Sequence, residues 1–401
     1  MANVSSSNGL EKRPKLRFPG FDKPWKVFKA EELFQNITDK NHPDETVLTI
    51  IQGKGTLPRE QAGRNIHYDD ASLSNYKKVE QGDFIIHLRS FEGGLEMANE
   101  AGIVSPAYTI LRCKRPHSSL FYDAYFHTDE FINHNLSKSV EGIRDGRQIS
   151  YEAFKWLGIP YCEPTEQEKI SNLFAALNER IAKQRDLIEA LKKYKRGVVR
   201  ILLSPKHCSI KNVKWTTSRI GDIGTFIKGA PLSKADISLE GTPFILYGEL
   251  YTTYSEVISN VVRKTQASVD KQYYSQIGDV IIPTSGETPE EISTASCVML
   301  PDIILAGDLN IYRCTQVDGR IMSYILNHVV NDRIARIAQG KSIVHVQAAE
   351  ISKIEITYPD SFSQKTIIAI LAAISDRIDQ SNAELRLLYE LRKALLQKLF
   401  I

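Results

Sequence analysis

Two stretches of this chain carry the same spacing of apolar residues, alternately four and three apart. The first reads Ile170, Phe174, Leu177, Ile181, Gln184, Ile188, Leu191, Lys195, Val198, Leu202; the second reads Ile367, Leu371, Ile374, Ile378, Ser381, Leu385, Leu388, Arg392, Leu395, Leu399. That alternation is the seam of a coiled coil. The polar breaks coincide when one tract is slid about 197 residues onto the other: Gln184 meets Ser381, and Lys195 meets Arg392. A helix of about 38 residues is about 57 Å long, and a seam of that length must be buried on something. Because a whole domain joins the two helices, they can lie antiparallel inside one molecule. Gln184 and Ser381 would then sit at mid-seam and fix the register. Packing of each helix on its own globular half, or a dimer through the helices, are the alternatives.

The repeat extends beyond the helices. Trp25 and Trp215 each open a half; Gln81–Ile86 (QGDFII) echoes Ile277–Ile282 (IGDVII); Arg112-Cys113 and Arg313-Cys314 both close apolar, strand-like runs. The expected fold is α+β: two similar mixed globular parts, residues 1–163 and 205–360, and two long helices, 164–204 and 361–401, forming an intramolecular coiled coil with a pseudo-two-fold internal repeat. Polar residues before glutamate or glutamine mark the helix starts, at Thr165-Glu166-Gln167 and Ser361-Phe362-Ser363-Gln364.

Among the 401 residues, 42% are hydrophobic and 25% charged, close to a soluble globular average, which excludes wholesale disorder. No window approaches the roughly 18 apolar residues of a membrane span. The polar opening has no secretory h-region, so a soluble, cytoplasmic protein is expected. Cys113, Cys162, Cys208, Cys297 and Cys314 lie too far apart for a C-x-x-C pair, which argues against structural zinc and a disulfide framework. The net charge of +3 leaves room for a local basic face.

The whole pattern resembles the specificity (S) subunits of type I restriction-modification systems. The resemblance is carried by the duplicated helices, the opening Leu16-Arg17-Phe18-Pro19-Gly20-Phe21 with Trp25, the helix start at Pro164-Thr165-Glu166-Gln167, and the ending Lys393-Ala394-Leu395-Leu396-Gln397-Lys398-Leu399-Phe400. It implies that each globular part is a target recognition domain reading one half of a split double-stranded DNA sequence. It implies that the helices set the spacer and dock two methyltransferase (M) subunits, which restriction-translocase (R) subunits join. It also implies that this chain is not an enzyme and binds no cofactor, S-adenosylmethionine belonging to M and ATP with magnesium to R.

The residues themselves agree. Ser105-Pro106-Ala107-Tyr108 lacks the second proline of an amino-methyltransferase motif; Gly340-Lys341-Ser342 lacks the first glycine of a phosphate loop; Gln52 stands where a nuclease acid is needed beside Asp44 and Lys54. No histidine spacing suits a metal. DNA contact requires loops with base-edge donors and acceptors flanked by cations. In the first half these are Lys54, Arg59 and Arg64; Lys77 and Lys78; Arg89 and Ser90; Arg144, Arg147 and Gln148. In the second they are Tyr247, Glu249, Tyr251, Thr252 and Tyr254; Thr284, Ser285 and Glu287; Lys341 and Ser342. Lys192 to Arg196 form a basic helix face that either approaches the spacer or is merely solvated.

Overall fold

The computed structural model describes residues 11–62, 70–142, 148–340 and 344–400. The chain divides into two compact units: residues 1–185 with 383–401, and residues 186–382.

In the first unit the core is a four-stranded antiparallel sheet. The strands are β2 (Phe34–Ile37), β3 (Phe84–Ile86), β4 (Glu96–Met97) and β5 (Thr109–Cys113), in the order β2-β5-β3-β4. A second pairing joins β1 (Trp25–Lys29) to β6 (Gly158–Tyr161). Helix α1 (Ser119–Phe126) lays Tyr122 and Phe126 on the sheet, where they meet Phe34 and Phe84 edge-on at ring separations of 4.9 to 6.4 Å. Such aromatic pairs add about 0.5–1.5 kcal/mol beyond their buried area.

The second unit repeats the plan. Strands β8 (Gly224–Lys228), β9 (Asp279–Pro283), β10 (Ser296–Val298) and β11 (Leu309–Cys314) run in the order β8-β11-β9-β10, with a further strand at Val257–Ile258 parallel to β10. Here β7 (Trp215–Arg219) pairs with β12 (Glu355–Pro359), and helix α3 (Gly319–His328) takes the place of α1. Strand alternation sends Val280, Ile282 and Tyr312 to the α3 side and Ile281, Leu309 and Ile311 to the other.

The echoes in the sequence become contacts. Arg112 holds Asp83 through two hydrogen bonds of 2.9 and 2.7 Å; Arg313 holds Asp279 in the same way at 3.1 and 3.3 Å. Each carboxylate also caps its own turn, accepting from the amides of Glu80 and Gln276.

The long helices are α2 (Pro164–Leu202) and α4 (Ser361–Phe400). Of the first seam, Ile170, Phe174, Leu177, Ile181, Gln184, Ile188, Lys195 and Leu202 are buried, and Leu191 and Val198 half-buried. Of the second, Ile367, Leu371, Ile378, Ser381 and Leu399 are buried, and Ile374, Leu385, Leu388, Arg392 and Leu395 half-buried.

Within the first unit the two helices touch in antiparallel order. Phe174 stacks on Phe400 at 6.2 Å, Asn178 accepts from Arg392 at 2.9 Å, and Arg185 lies 5.3 Å from the Tyr389 ring. Phe400 is fully buried against Trp25 and Phe121. Within the second unit Val199, Leu202 and Leu203 share one apolar cluster with Ile367, Ile368 and Leu371.

Both helices start on a glutamine. Gln167 accepts from the amide of Ser118 at 3.0 Å and donates to the carbonyl of Cys162 at 2.9 Å; Gln364 does the same with Asp318 and Pro359, at 2.8 Å each. The cap of α4 differs from the sequence expectation. Asp360, not Ser361, receives the amides of Phe362 and Ser363 and the Ser363 hydroxyl. These hydrogen bonds and that from the Lys214 amide hold its carboxyl down at about 2.

Candidate nucleic-acid interface

In the first unit, the turn leaving β3 carries two exposed side chains, Leu88 and Arg89. Ser90 is fully buried, its hydroxyl accepting from the His87 amide at 2.9 Å, so it braces the turn and presents no atom to a duplex. The Arg89 amide donates to His87 Nδ1 at 3.3 Å, and its guanidinium pairs with Glu92 at 3.0 Å.

Lys54 is exposed at the tip of the hairpin Leu48–Ile51 and Gly55–Pro58. Sequence reading missed what holds that tip. The fully buried Glu96 carboxylate accepts from the amides of Gly53 (2.6 Å) and Gly55 (2.9 Å) and pairs with His127 at 3.3 Å. Burial pushes the Glu96 carboxyl upward, but His127 and the two amides outweigh it and hold it below the ordinary value. Gly55 has φ of +77°, and a Cβ there would lie 2.5 Å from the Met97 carbonyl, so no other residue fits.

Lys77 donates to the Tyr108 carbonyl and Lys78 pairs with Glu45 at 2.7 Å, so both are already engaged. Burial lowers the Lys77 pKa. Arg59 is half-buried and Gln148 exposed. Arg64, Arg144 and Arg147 lie outside the described residues.

In the second unit two groups of expected residues separate. Tyr251 and Tyr254 border a cavity of about 640 Å³ together with Lys192, Lys195 and Arg196 of α2. Tyr247 is half-buried, and the exposed Thr252 hydroxyl donates to the Gly248 carbonyl. Glu249 is turned inward: it is 5% exposed and accepts from the Leu246 amide and Arg263 at 3.0 and 2.8 Å. It steadies its loop and is not placed to accept from a cytosine.

Thr284 belongs to a different cleft, of about 1020 Å³, whose polar lining includes Lys228, Ser233, Asp308, Asn310 and His345. Ser285 is buried, its hydroxyl donating to Asp308 at 2.8 Å, so it too is occupied internally. Glu287 is exposed. Lys341 and Ser342 lie outside the described residues.

The lysine at the polar break of the first seam has a partner no sequence pattern disclosed. Lys195 Nζ lies 2.8 Å from Glu256, whose other oxygen is 2.7 Å from His328 Nε2. Burial raises the Glu256 carboxyl, yet His328 and Lys195 together bring it down to about 2. The ammonium also lies 5.4 Å from the Tyr324 ring. Among the described residues no group of three or more His, Cys, Asp and Glu side chains could hold a metal, and no helix is long and apolar enough to cross a membrane.

Residues 212–388 match the family model of the type I restriction modification DNA specificity domain. Among solved structures, the chain is similar to one described for complex assembly and conformational transition of the type I R-M system, with 15% identity, TM-score 0.62 and coverage of 95% of this chain and 98% of that one. It is likewise similar to the type-I restriction-modification system S subunit from M. genitalium, at 15% identity and TM-score 0.55, over 97% and 99% of the two chains. No curated protein matches the sequence. Residues 212–388 thus resemble a type I restriction modification DNA specificity domain, and over nearly its full length the chain shares the fold of these two solved structures.

Proposed function

We propose that this chain is the DNA-reading subunit of a type I restriction-modification complex, each unit recognising one half of a bipartite target. The observation that carries the reading is the doubled scaffold: the same sheet order, the same Arg–Asp pair and the same helix-starting glutamine occur in both units. Two like readers suit a ligand with two like sites. Helices α2 and α4, paired along their seams as a coiled coil, set the unread gap. Their outer faces, with Leu187, Tyr194, Leu387 and Leu391 exposed, offer apolar contacts to M subunits. Methyl transfer, with S-adenosylmethionine, belongs to M; cleavage and translocation, with ATP and magnesium, belong to R. The chain then works in the cytoplasm, where the DNA is.

Sequencing native DNA from cells carrying this chain with its M partner tests the reading. The expected result is methylated adenine in a two-part motif; unmodified DNA despite an assembled complex argues against it. Removing one heptad from both helices shortens the gap between the half-sites, and an unchanged gap refutes the spacer role.

A further inference from the structure

We infer that Gln52 is a base-reading residue of the first unit, its side-chain amide taking the N6 and N7 edge of an adenine in the major groove. The inference rests on the DNA-reading function proposed above. Gln52 opens the turn Gln52-Gly53-Lys54 of the hairpin Leu48–Ile51 and Gly55–Pro58. All three turn residues are exposed. The Gln52 amide makes no hydrogen bond to the described residues.

The side chain is nevertheless held. It lies across Gly93, which ends the short helical turn Ser90–Gly93 that follows Arg89. A Cβ on Gly93 would overlap Gln52 Nε2 and stand 2.6 Å from its Cδ, so the glycine leaves open the space that the amide fills. The backbone beneath it is fixed from inside the unit. The buried Glu96 carboxylate takes the amides of Gly53 and Gly55, and Asn99 Nδ2 donates to the carbonyls of Lys54 and Thr56 at 2.8 Å each. His127 in turn pairs with Glu96. A buried ion pair contributes little net stability, so what this one supplies is position. A merely solvated glutamine needs no such support, whereas a base reader gains affinity from a side chain already fixed in its bound geometry. The exposed cations Lys54 and Arg89 stand on the two turns that Gln52 and Gly93 join, placed for the phosphates beside a base edge. A glutamine amide offers one donor and one acceptor, which match adenine N7 and N6.

The test uses the chain assembled with its M partner and duplexes carrying the motif found by native-DNA sequencing. Each adenine other than the methylated ones is replaced singly by 7-deazaadenine, which lacks N7. One replacement should weaken wild-type binding about tenfold. Gln52→Ala should lose a similar factor on the intact duplex and nothing further on that substituted duplex; independent, multiplying losses overturn the assignment. Its affinity for random duplex should stay unchanged, which also reports a folded protein, and an equal loss there overturns the assignment. Gly93→Ala keeps the glutamine but takes its place over the turn. It should weaken the cognate duplex by itself and add nothing to Gln52→Ala; full cognate affinity overturns the positioning. Gln52→Glu replaces the donor with an acceptor, so its preference at that position should move from adenine to cytosine, and retained adenine overturns the assignment too. A wild-type complex with no preferred motif overturns the function and the residue together, whereas a motif with no N7-sensitive adenine overturns the residue alone.

Discussion

The two units agree in what holds them together and differ in what they display. Both tie β5 or β11 to the turn entering the neighbouring strand, β3 or β9, through an Arg–Asp pair, and both begin a long helix on a bridging glutamine. Their edges diverge. The turn after β3 exposes Leu88 and Arg89, while the turn after β9 keeps Ser285 inside and leaves a polar cleft. At the matching seam breaks, Arg392 meets a neutral asparagine, whereas Lys195 meets the charged Glu256. A repeated scaffold with unlike edges is what the proposed reading of two different half-sites requires.

That comparison can be broken or sharpened experimentally. Phe400→Ala removes the ring that Trp25, Phe121, Tyr125 and Phe174 pack around in the first unit and should cost about 3–5 kcal/mol. Leu203→Ala, at the matching point of the second, should cost about 2–5 kcal/mol. In urea or thermal unfolding each should lower a transition of its own unit; equal shifts of both units from either variant would deny their independence. Asp279→Ala leaves Arg313 with only the carbonyls of Gln272 and Tyr274 and no counter-charge, and should cost about 3 kcal/mol. Asp83→Ala should cost less, because Arg112 keeps Glu80 at 3.0 Å, and the two variants compared by unfolding measure that difference.

The second unit carries an acid-sensitive cluster of its own. Glu256 titrates at about 2 in the fold, below the ordinary value of 4.5, so its stabilisation is full above pH 4.5 and lost as pH falls towards 2. Glu256→Gln should flatten the stability loss between pH 5 and pH 3 by about 2 kcal/mol in paired denaturation curves. An unaltered acid slope would mean that the Lys195–Glu256–His328 cluster contributes nothing. The smallest effects are on the surface. Lys54→Ala and Arg89→Ala should each lower the slope of log affinity against log salt by about one for random duplex. An unchanged slope would remove that residue from the DNA face.

The rods were legible because a period survives in any single sequence. Eight of the ten positions read from the first tract are buried. The Gly-Asp strings and the Arg-Cys pairs were visible as echoes, but that Asp83 and Arg112 bond each other required the folded sheet. The reading surface was legible only as loops. Ser90, Glu249 and Ser285 look like free polar groups in sequence, yet each finds a partner the sequence cannot announce: the His87 amide, Arg263 and Asp308. Glu96 was missed because its ligands, the amides of Gly53 and Gly55, are more than forty residues away in the chain.

The bridging glutamines have a consequence for splicing. Each side-chain amide stitches three pieces at once: the outgoing strand, the cap of α1 or α3, and the first turn of the rod. A chimaera cut between strand and rod severs that stitch, whereas a cut one or two turns further along passes through plain helix. A chimaera made from this chain therefore joins best beyond Gln167 and Gln364, so that each part carries the root of its own rod.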